Sequence, residues 1–185
     1  MKTFYSFQPL FLLLLLVVCP FVGAQDKEIS TPTSPFTIDL WQNGLPNTNG
    51  METLGYDDAK SNFKPCITVY LPKASQPTKA VVICPGGGYQ HLAMNHEGYD
   101  WASFFNNQGI AVIVLKYRMP NGHLEVPISD AYEAIRLTKT NAKTWNIHPD
   151  CIGIMGSSAG GHLATTVATH APRELRHDFQ ILFYQ

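Results

Sequence analysis

Ser158 lies among small residues that suit a catalytic turn. The residues around it read Gly156-Ser157-Ser158-Ala159-Gly160 and fit the pattern Gly-x-Ser-x-Gly. An apolar run precedes the pattern and a helical pattern follows, so we expect a sharp strand-to-helix turn that exposes the serine hydroxyl as a nucleophile. A glycine-rich turn without chemistry is the alternative. The pattern alone decides little, because at an average glycine content of about 7% roughly one chain in twenty of this length contains it by chance.

A second glycine-rich turn could supply the other half of an acyl-transfer site. The sequence Gly86-Gly87-Gly88 directly follows an apolar run. Acyl transfer places negative charge on the former carbonyl oxygen, and backbone N–H groups are rigid donors for that charge. We expect the N–H groups of Gly87, Gly88 and Ala159 to form this oxyanion hole. Candidates for the wall of the acyl pocket are Tyr89, His91 and Ser157.

The elements that must position these turns alternate along the chain. Predicted strands are residues 36–41, 66–72, 80–85, 110–117, 151–155 and 179–184, and predicted helices are residues 97–109, 129–145 and 158–170. Most of these strands are apolar on both faces, and this alternation predicts an α/β fold with a mostly parallel sheet and helices on both faces. Parallel strands end at one edge of a sheet, so both glycine-rich turns should meet there.

Several motifs resemble those of one protein superfamily. The stretches PGGGY, VLKYRMP, VPISDAYEAIR, GIMGSSAGGHLA and DFQILFY occur in this order. Together they resemble the α/β-hydrolase superfamily, and within it the secreted bacterial esterases related to acetylxylan esterases and hormone-sensitive-lipase-like enzymes. The resemblance covers roughly residues 62–185, and Pro85, where a histidine is usual, fits the secreted branch. It implies a serine esterase that acts on acetyl-type or aromatic esters of carbohydrate and needs no cofactor and no metal.

The same resemblance implies that catalytic partners are missing from the chain. A histidine base and a carboxylate should follow Ser158 in chain order. The acids after this serine are Glu174 and Asp178, and the histidines are His162, His170 and His177. Members of the superfamily continue through two more strand–helix units. We therefore expect a partial α/β-hydrolase fold whose triad acid and base lie beyond residue 185. Alone, such a chain should be poorly stable and nearly inactive. His162 is the alternative base.

Other residues have simpler interpretations. His91 and His96 follow the second glycine-rich turn and could line the acyl pocket, but a loop histidine is more commonly bonded to backbone. The histidines of the chain also lack the spacing of metal ligands. Asp130 is predicted to start a helix rather than to serve as the triad acid. Tyr117 and Arg118 are predicted to hold the loop before that helix. Predicted core residues are Trp101, Phe104, Phe105, Cys66, Cys84 and Cys151, with one disulfide as an alternative for the cysteines.

The N-terminal residues resemble an export signal. Lys2 precedes an apolar run at 10–18, and Val22-Gly23-Ala24 fits a cleavage site, so residues 1–24 are predicted to be a signal peptide. Export to the periplasm or the extracellular space follows, without stable membrane insertion after cleavage. A transmembrane helix is the alternative, although the run is shorter than the ~20 residues that a span requires. Residues 25–61 are predicted to be a lead-in and loop, and residues 62–185 the catalytic domain.

Composition narrows the classes of partner. The net charge is −1 and no cluster of lysine and arginine occurs, which argues against nucleic-acid binding. The expected partner is a small-molecule or polysaccharide ester. A serine peptidase of the same fold and a non-catalytic fragment or binding module that keeps the serine turn as structure remain alternatives.

Overall fold

Runs of β-branched residues build a six-stranded sheet with the strand order β1-β2-β4-β3-β5-β6. A computed structural model describes residues 34–183, so the predicted signal peptide lies outside the described residues. The strands are β1 (Phe36–Asp39), β2 (Cys66–Tyr70), β3 (Thr78–Cys84), β4 (Ile110–Lys116), β5 (Ile147–Ser157) and β6 (Phe179–Phe183). Strands β4, β3, β5 and β6 are parallel, whereas β1 and β2 pair antiparallel. The predicted α/β fold with a mostly parallel sheet is confirmed.

The chain does not fill the sheet in sequence order. Strands β2 and β3 follow each other in the chain, yet β4 lies between them and pairs with both. Strand β3 then pairs with β5 on its other side. The centre of the sheet therefore brings the ends of β3 and β5 side by side, although about seventy residues separate them in the chain.

Helices cover both faces of this sheet. Helices α2 (Glu125–Thr140) and α3 (Ala159–His170) pack on one face, and α1 (Asp100–Asn107) packs on the other. The central strands are buried on both sides, which explains their continuous apolar runs. None of the helices in the described part of the chain is long and apolar enough to cross a membrane.

Two helices begin at other residues than predicted. A π-helical turn, Asn95–Tyr99, precedes α1 and takes the first residues of the predicted helix. Helix α2 begins at Glu125, four residues before the predicted start, because Pro127 is tolerated in a first helical turn. The prediction that Asp130 starts the helix is therefore wrong, since Asp130 lies in its second turn and is fully buried.

Asp130 instead belongs to a buried ion pair that fastens the N-terminal segment. Arg118, 1% exposed, donates from Nη2 to Asp130 Oδ1 at 2.7 Å and from Nη1 to the Asn47 carbonyl at 2.8 Å. It also pairs with Glu52 at 3.1 Å, and Trp41 Nε1 donates to Asp130 Oδ1 at 2.7 Å. Trp41, at the end of a predicted strand, and residues 47–52, predicted to be loop, are thus bonded to the end of β4 and to α2.

Some of the predicted core residues reach solvent. Phe105 is buried, but Phe104 is 56% exposed, so the prediction for Phe104 is wrong. Trp101 is half-buried and stacks on Phe183 with ring centroids 5.3 Å apart. All three cysteines of the described residues are free thiols; Cys84 is buried, and Cys66 and Cys151 are half-buried.

Candidate active site

Ser158 occupies a strained turn between β5 and α3. Its φ of +49° and ψ of −121° lie in a region of backbone conformation that residues other than glycine rarely adopt. Such a conformation costs of order 1–3 kcal/mol and persists only where the surroundings hold it. The Ser158 N–H donates to the Phe183 carbonyl at 3.1 Å, and the Ser158 carbonyl accepts from the His162 N–H at 2.9 Å. The turn is thus held from β6 and from the first turn of α3.

Glycines allow the serine turn to lie against the glycine-rich loop. A Cβ on Gly156 would overlap the backbone of Gly160, and a Cβ on Gly160 would overlap the Cys84 carbonyl. A Cβ on Gly86 would lie 3.2 Å from Ser158 Cβ. The start of α3 therefore packs directly on the end of β3, and the two turns predicted to meet at this edge do so.

The carbonyl groups of the glycine-rich loop are bonded within the fold. The Pro85 carbonyl accepts from Tyr117 Oη at 2.7 Å, and the Gly86 carbonyl accepts from the Ala93 N–H at 2.9 Å. The Gly87 carbonyl accepts from the N–H groups of Gln90 and His91, at 3.0 and 3.2 Å. Positive φ values at Gly87 and Gly88, +136° and +62°, let the loop take this shape.

The N–H groups that were predicted to bind an oxyanion have no hydrogen-bond partner among the described residues. Within residues 34–183, the N–H groups of Gly87 and Gly88 find no acceptor, and the Ser158 hydroxyl makes no hydrogen bond. Ala159 is the first residue of α3, where N–H groups have no intrahelical acceptor and the helix dipole favours negative charge. Gly87 and Gly88 directly follow Gly86, which lies against Ser158, and Ala159 directly follows the serine, so all three donors belong to the two turns that meet at this edge of the sheet.

The three predicted pocket residues have different environments. Tyr89 is half-buried beside the turn, and its Oη lies 2.9 Å from His162 Nδ1. Burial raises the pKa of Tyr89 to about 12, so its hydroxyl stays protonated and can donate to His162. His91 is exposed next to Gly87, and Ser157 is buried at the end of β5, with little access to a ligand. Their role in a pocket stays a prediction.

None of the histidine side chains in the described segment hydrogen-bonds to Ser158. His162 is exposed and bonds to Tyr89, His170 bonds to threonines of its own helix, and His177 is half-buried. Asp178 accepts the Ile152 N–H at 2.8 Å, away from the serine turn. The described residues also contain no cluster of three or more histidine, cysteine, aspartate or glutamate side chains that could hold a metal ion.

Two side chains that contact the glycine-rich loop escaped the sequence analysis. Glu97 Oε2 accepts the Gly86 N–H at 2.7 Å. Tyr117, predicted only to hold the loop before α2, donates from Oη to the Pro85 carbonyl at 2.7 Å. One sequence gives no signal that would single out Glu97 among the acids after the glycines. The contact arises because the π-helical turn brings residue 97 back over the loop.

A strained serine turn that joins a strand to a helix, on a mainly parallel sheet with helices on both faces, defines the α/β-hydrolase fold. The family comparison agrees with this class. The BD-FAE family model matches residues 67–183, and the chain belongs to the BD-FAE family.

Relatives of the chain include an esterase and enzymes whose names refer to xylan or xylosides. The chain is 43% identical to an acetylxylan esterase of Xylanibacter ruminicola over 69% of its length, and 32% identical to endo-1,4-beta-xylanase B of Butyrivibrio fibrisolvens over 82%. These matches cover 26% and 24% of the relatives, so the chain spans about a quarter of their length. The acetyl ester-xyloside bifunctional hydrolase from Caldicellulosiruptor lactoaceticus superposes with a TM-score of 0.65 at 34% identity, covering 80% of this chain and 56% of that one.

Proposed function

We propose that this chain carries the nucleophile and the oxyanion hole of a serine carboxylic-ester hydrolase. The observation that carries the proposal is the packing of Ser158, whose hydroxyl is unbonded within the described residues, against Gly86 of the loop whose Gly87 and Gly88 N–H groups also lack acceptors there. Relatives named as esterases support the class of reaction.

In the proposed reaction, Ser158 Oγ attacks the carbonyl carbon of the ester. The hydroxyl proton passes to a base, and negative charge develops on the carbonyl oxygen, where Gly87, Gly88 and Ala159 donate hydrogen bonds. The tetrahedral intermediate collapses, the alcohol leaves with a proton, and water then releases the acid from the acyl-enzyme. No histidine side chain in residues 34–183 hydrogen-bonds to Ser158, so we assign the nucleophile and the donors and no base.

We further propose acetyl-type esters on a xylan-like polysaccharide as the substrate class and the exported compartment as its place of action. Three proteins similar to the chain have names that refer to xylan or xylosides, and two of these names also refer to acetyl groups. A polymeric substrate would require an enzyme outside the cytoplasm, which fits the predicted signal peptide.

A fluorophosphonate probe tests the nucleophile. In the protein expressed from its natural gene, the probe should label Ser158, and Ser158→Ala should abolish both labelling and release of acetate from acetylated xylan. Ser103→Ala, which removes an exposed serine on α1, is the matched control and should leave both unchanged. A folded protein without labelling would favour the binding module, and cleavage of peptides instead of esters would favour the peptidase.

Terminal sequencing of the secreted product tests export. The mature protein should begin near Gln25. An intact Met1 in a membrane fraction would contradict the signal peptide.

A further inference from the structure

The peptide unit between Pro85 and Gly86 is held at both of its polar ends by side chains. Its carbonyl oxygen accepts from Tyr117 Oη at 2.7 Å, and its N–H donates to Glu97 Oε2 at 2.7 Å. Tyr117 is fully buried, and the Glu97 side chain is 12% exposed. These two bonds therefore fix the rotation of the peptide plane at a place that water reaches poorly.

The backbone around Glu97 is shaped for this contact. Residues Asn95–Tyr99 form a π-helical turn, a rare geometry that occurs frequently at functional sites. Gly98 lets this turn approach the sheet, because a Cβ there would lie 2.9 Å from Val114 Cγ1 and 3.3 Å from Pro85 Cγ. A larger residue at 98 would push the turn, and Glu97 with it, away from the loop.

The held peptide unit is the base from which the proposed oxyanion donors extend. Gly87 and Gly88 follow it directly, and neither has a side chain that could fix its own orientation. A rotation of the Pro85–Gly86 plane would therefore shift both N–H groups. Such donors are effective only when they lie about 2.7–3.1 Å from the developing oxyanion, so a small shift costs rate.

We propose that Glu97 and Tyr117 are positioning residues that hold the Pro85–Gly86 peptide and thereby direct the Gly87 and Gly88 N–H groups at the oxyanion. This inference rests on the proposed function and assigns two further residues to it. Both residues act through the loop. A carboxylate close to an oxyanion opposes its charge, so the benefit of Glu97 is geometric, and a neutral side chain that keeps an oxygen acceptor should replace it.

Steady-state kinetics on an acetyl ester, in the protein expressed from its natural gene, separate positioning from packing. Glu97→Leu and Tyr117→Phe should each lower kcat about tenfold to a hundredfold, less than outright loss of an oxyanion donor, with KM within about twofold of wild type. Glu97→Gln should stay within about threefold of wild type in kcat, because its amide oxygen still accepts the Gly86 N–H. The double variant Glu97→Leu/Tyr117→Phe should lose less than the product of the single losses, because both side chains hold one peptide.

Matched controls exclude general effects of the substitutions. Glu125→Leu removes an exposed glutamate at the start of α2, and Tyr132→Phe removes the hydroxyl of a half-buried tyrosine on the same helix. Both should leave kcat and KM unchanged.

Hydrogen exchange of the Gly86 amide, which donates to Glu97 Oε2, supplies a readout that does not depend on activity. Exchange should be faster than wild type in Glu97→Leu and in Tyr117→Phe, and close to wild type in Glu97→Gln; if Glu97→Leu does not fold, the other two variants carry the comparison. Unchanged exchange, full kcat in Glu97→Leu, or a kcat of Glu97→Gln as low as that of Glu97→Leu would each overturn the inference. If wild-type protein shows no hydrolysis that depends on Ser158, the proposed function fails, and the exchange rates still decide whether these side chains hold the peptide.

Discussion

Replacing Gly160 by alanine should destabilise the protein, although the same change stabilises most helices. Gly160 is the second residue of α3. Alanine at a helical position is favoured over glycine by about 1 kcal/mol. At this position, however, a Cβ would lie 2.7 Å from the Pro85 carbonyl oxygen and 2.8 Å from the Cys84 carbonyl carbon, and it would overlap the Cys84 carbonyl oxygen.

The size of the effect follows from what the new methyl group meets. Its neighbours are backbone atoms at the end of β3, and they cannot rotate away as a side chain would. Overpacking of this kind costs about 1–3 kcal/mol, and contact with rigid atoms places it near the upper end. After the helix gain is subtracted, we expect a net loss of about 2 kcal/mol in the free energy of unfolding and a fall of about 4–8 °C in Tm.

Urea unfolding of wild type and Gly160→Ala measures this loss. Ala168→Gly, a reverse exchange of the same two residues further along α3, is the matched control, and it should cost about 1 kcal/mol through propensity alone. A Gly160→Ala protein as stable as wild type, or more stable, would refute the claim that the first turn of α3 packs on the end of β3.

Three further predictions concern other parts of the fold. Arg118→Leu should lower the free energy of unfolding by about 3–5 kcal/mol because it leaves the buried Asp130 carboxylate unpaired. The control Arg136→Leu, which removes an arginine from a half-exposed ion pair, should lower it by less than about 1 kcal/mol. Equal losses of the two variants in urea unfolding would contradict this. Burial lowers the pKa of His177. Below its ordinary pKa of about 6.5, His177 therefore binds a proton in the unfolded chain more readily than in the folded chain. The free energy of unfolding should consequently fall as the pH falls towards 5. This slope should be shallower in His177→Asn, and identical slopes would exclude His177 as its source. Tyr89→Phe should cost about 0.5–1.5 kcal/mol through loss of the bond to His162, and an unchanged midpoint of unfolding would show that this bond contributes nothing.

The sheet and the two turns could be predicted because their signals are local. Continuous apolar runs indicate strands buried on both faces, and β3, β4 and β5 form at the predicted runs, with Pro85 and Tyr117 lying just outside the strands. Glycines at close spacing mark the turns after β3 and β5, and the rule that parallel strands end at one edge brought Ser158 next to Gly86.

The features that escaped prediction depend on contacts between different elements of the fold and not on local sequence patterns. Asp130 is typical of a helix start in isolation, but Arg118 and Trp41, the latter 89 residues away, draw it into a buried pair. Glu97 lies over the glycine-rich loop only because Gly98 permits a π-helical turn to approach the sheet. Neither arrangement has a periodicity or a spacing that one sequence reveals.

The insertion of β4 between β2 and β3 has a consequence for the order in which the protein can fold. Because β2 and β3 are not neighbours, no hairpin between them can start the sheet, and β2 gains its inner partner only when residues 110–116 are in place. The pairing of β3 with β5 closes a still longer loop, and the entropy lost on closing it is offset only once the two strands are in contact. We therefore expect refolding to be slow for a domain of this size, limited by distant strand pairing, with the serine turn and the glycine-rich loop meeting among the last events.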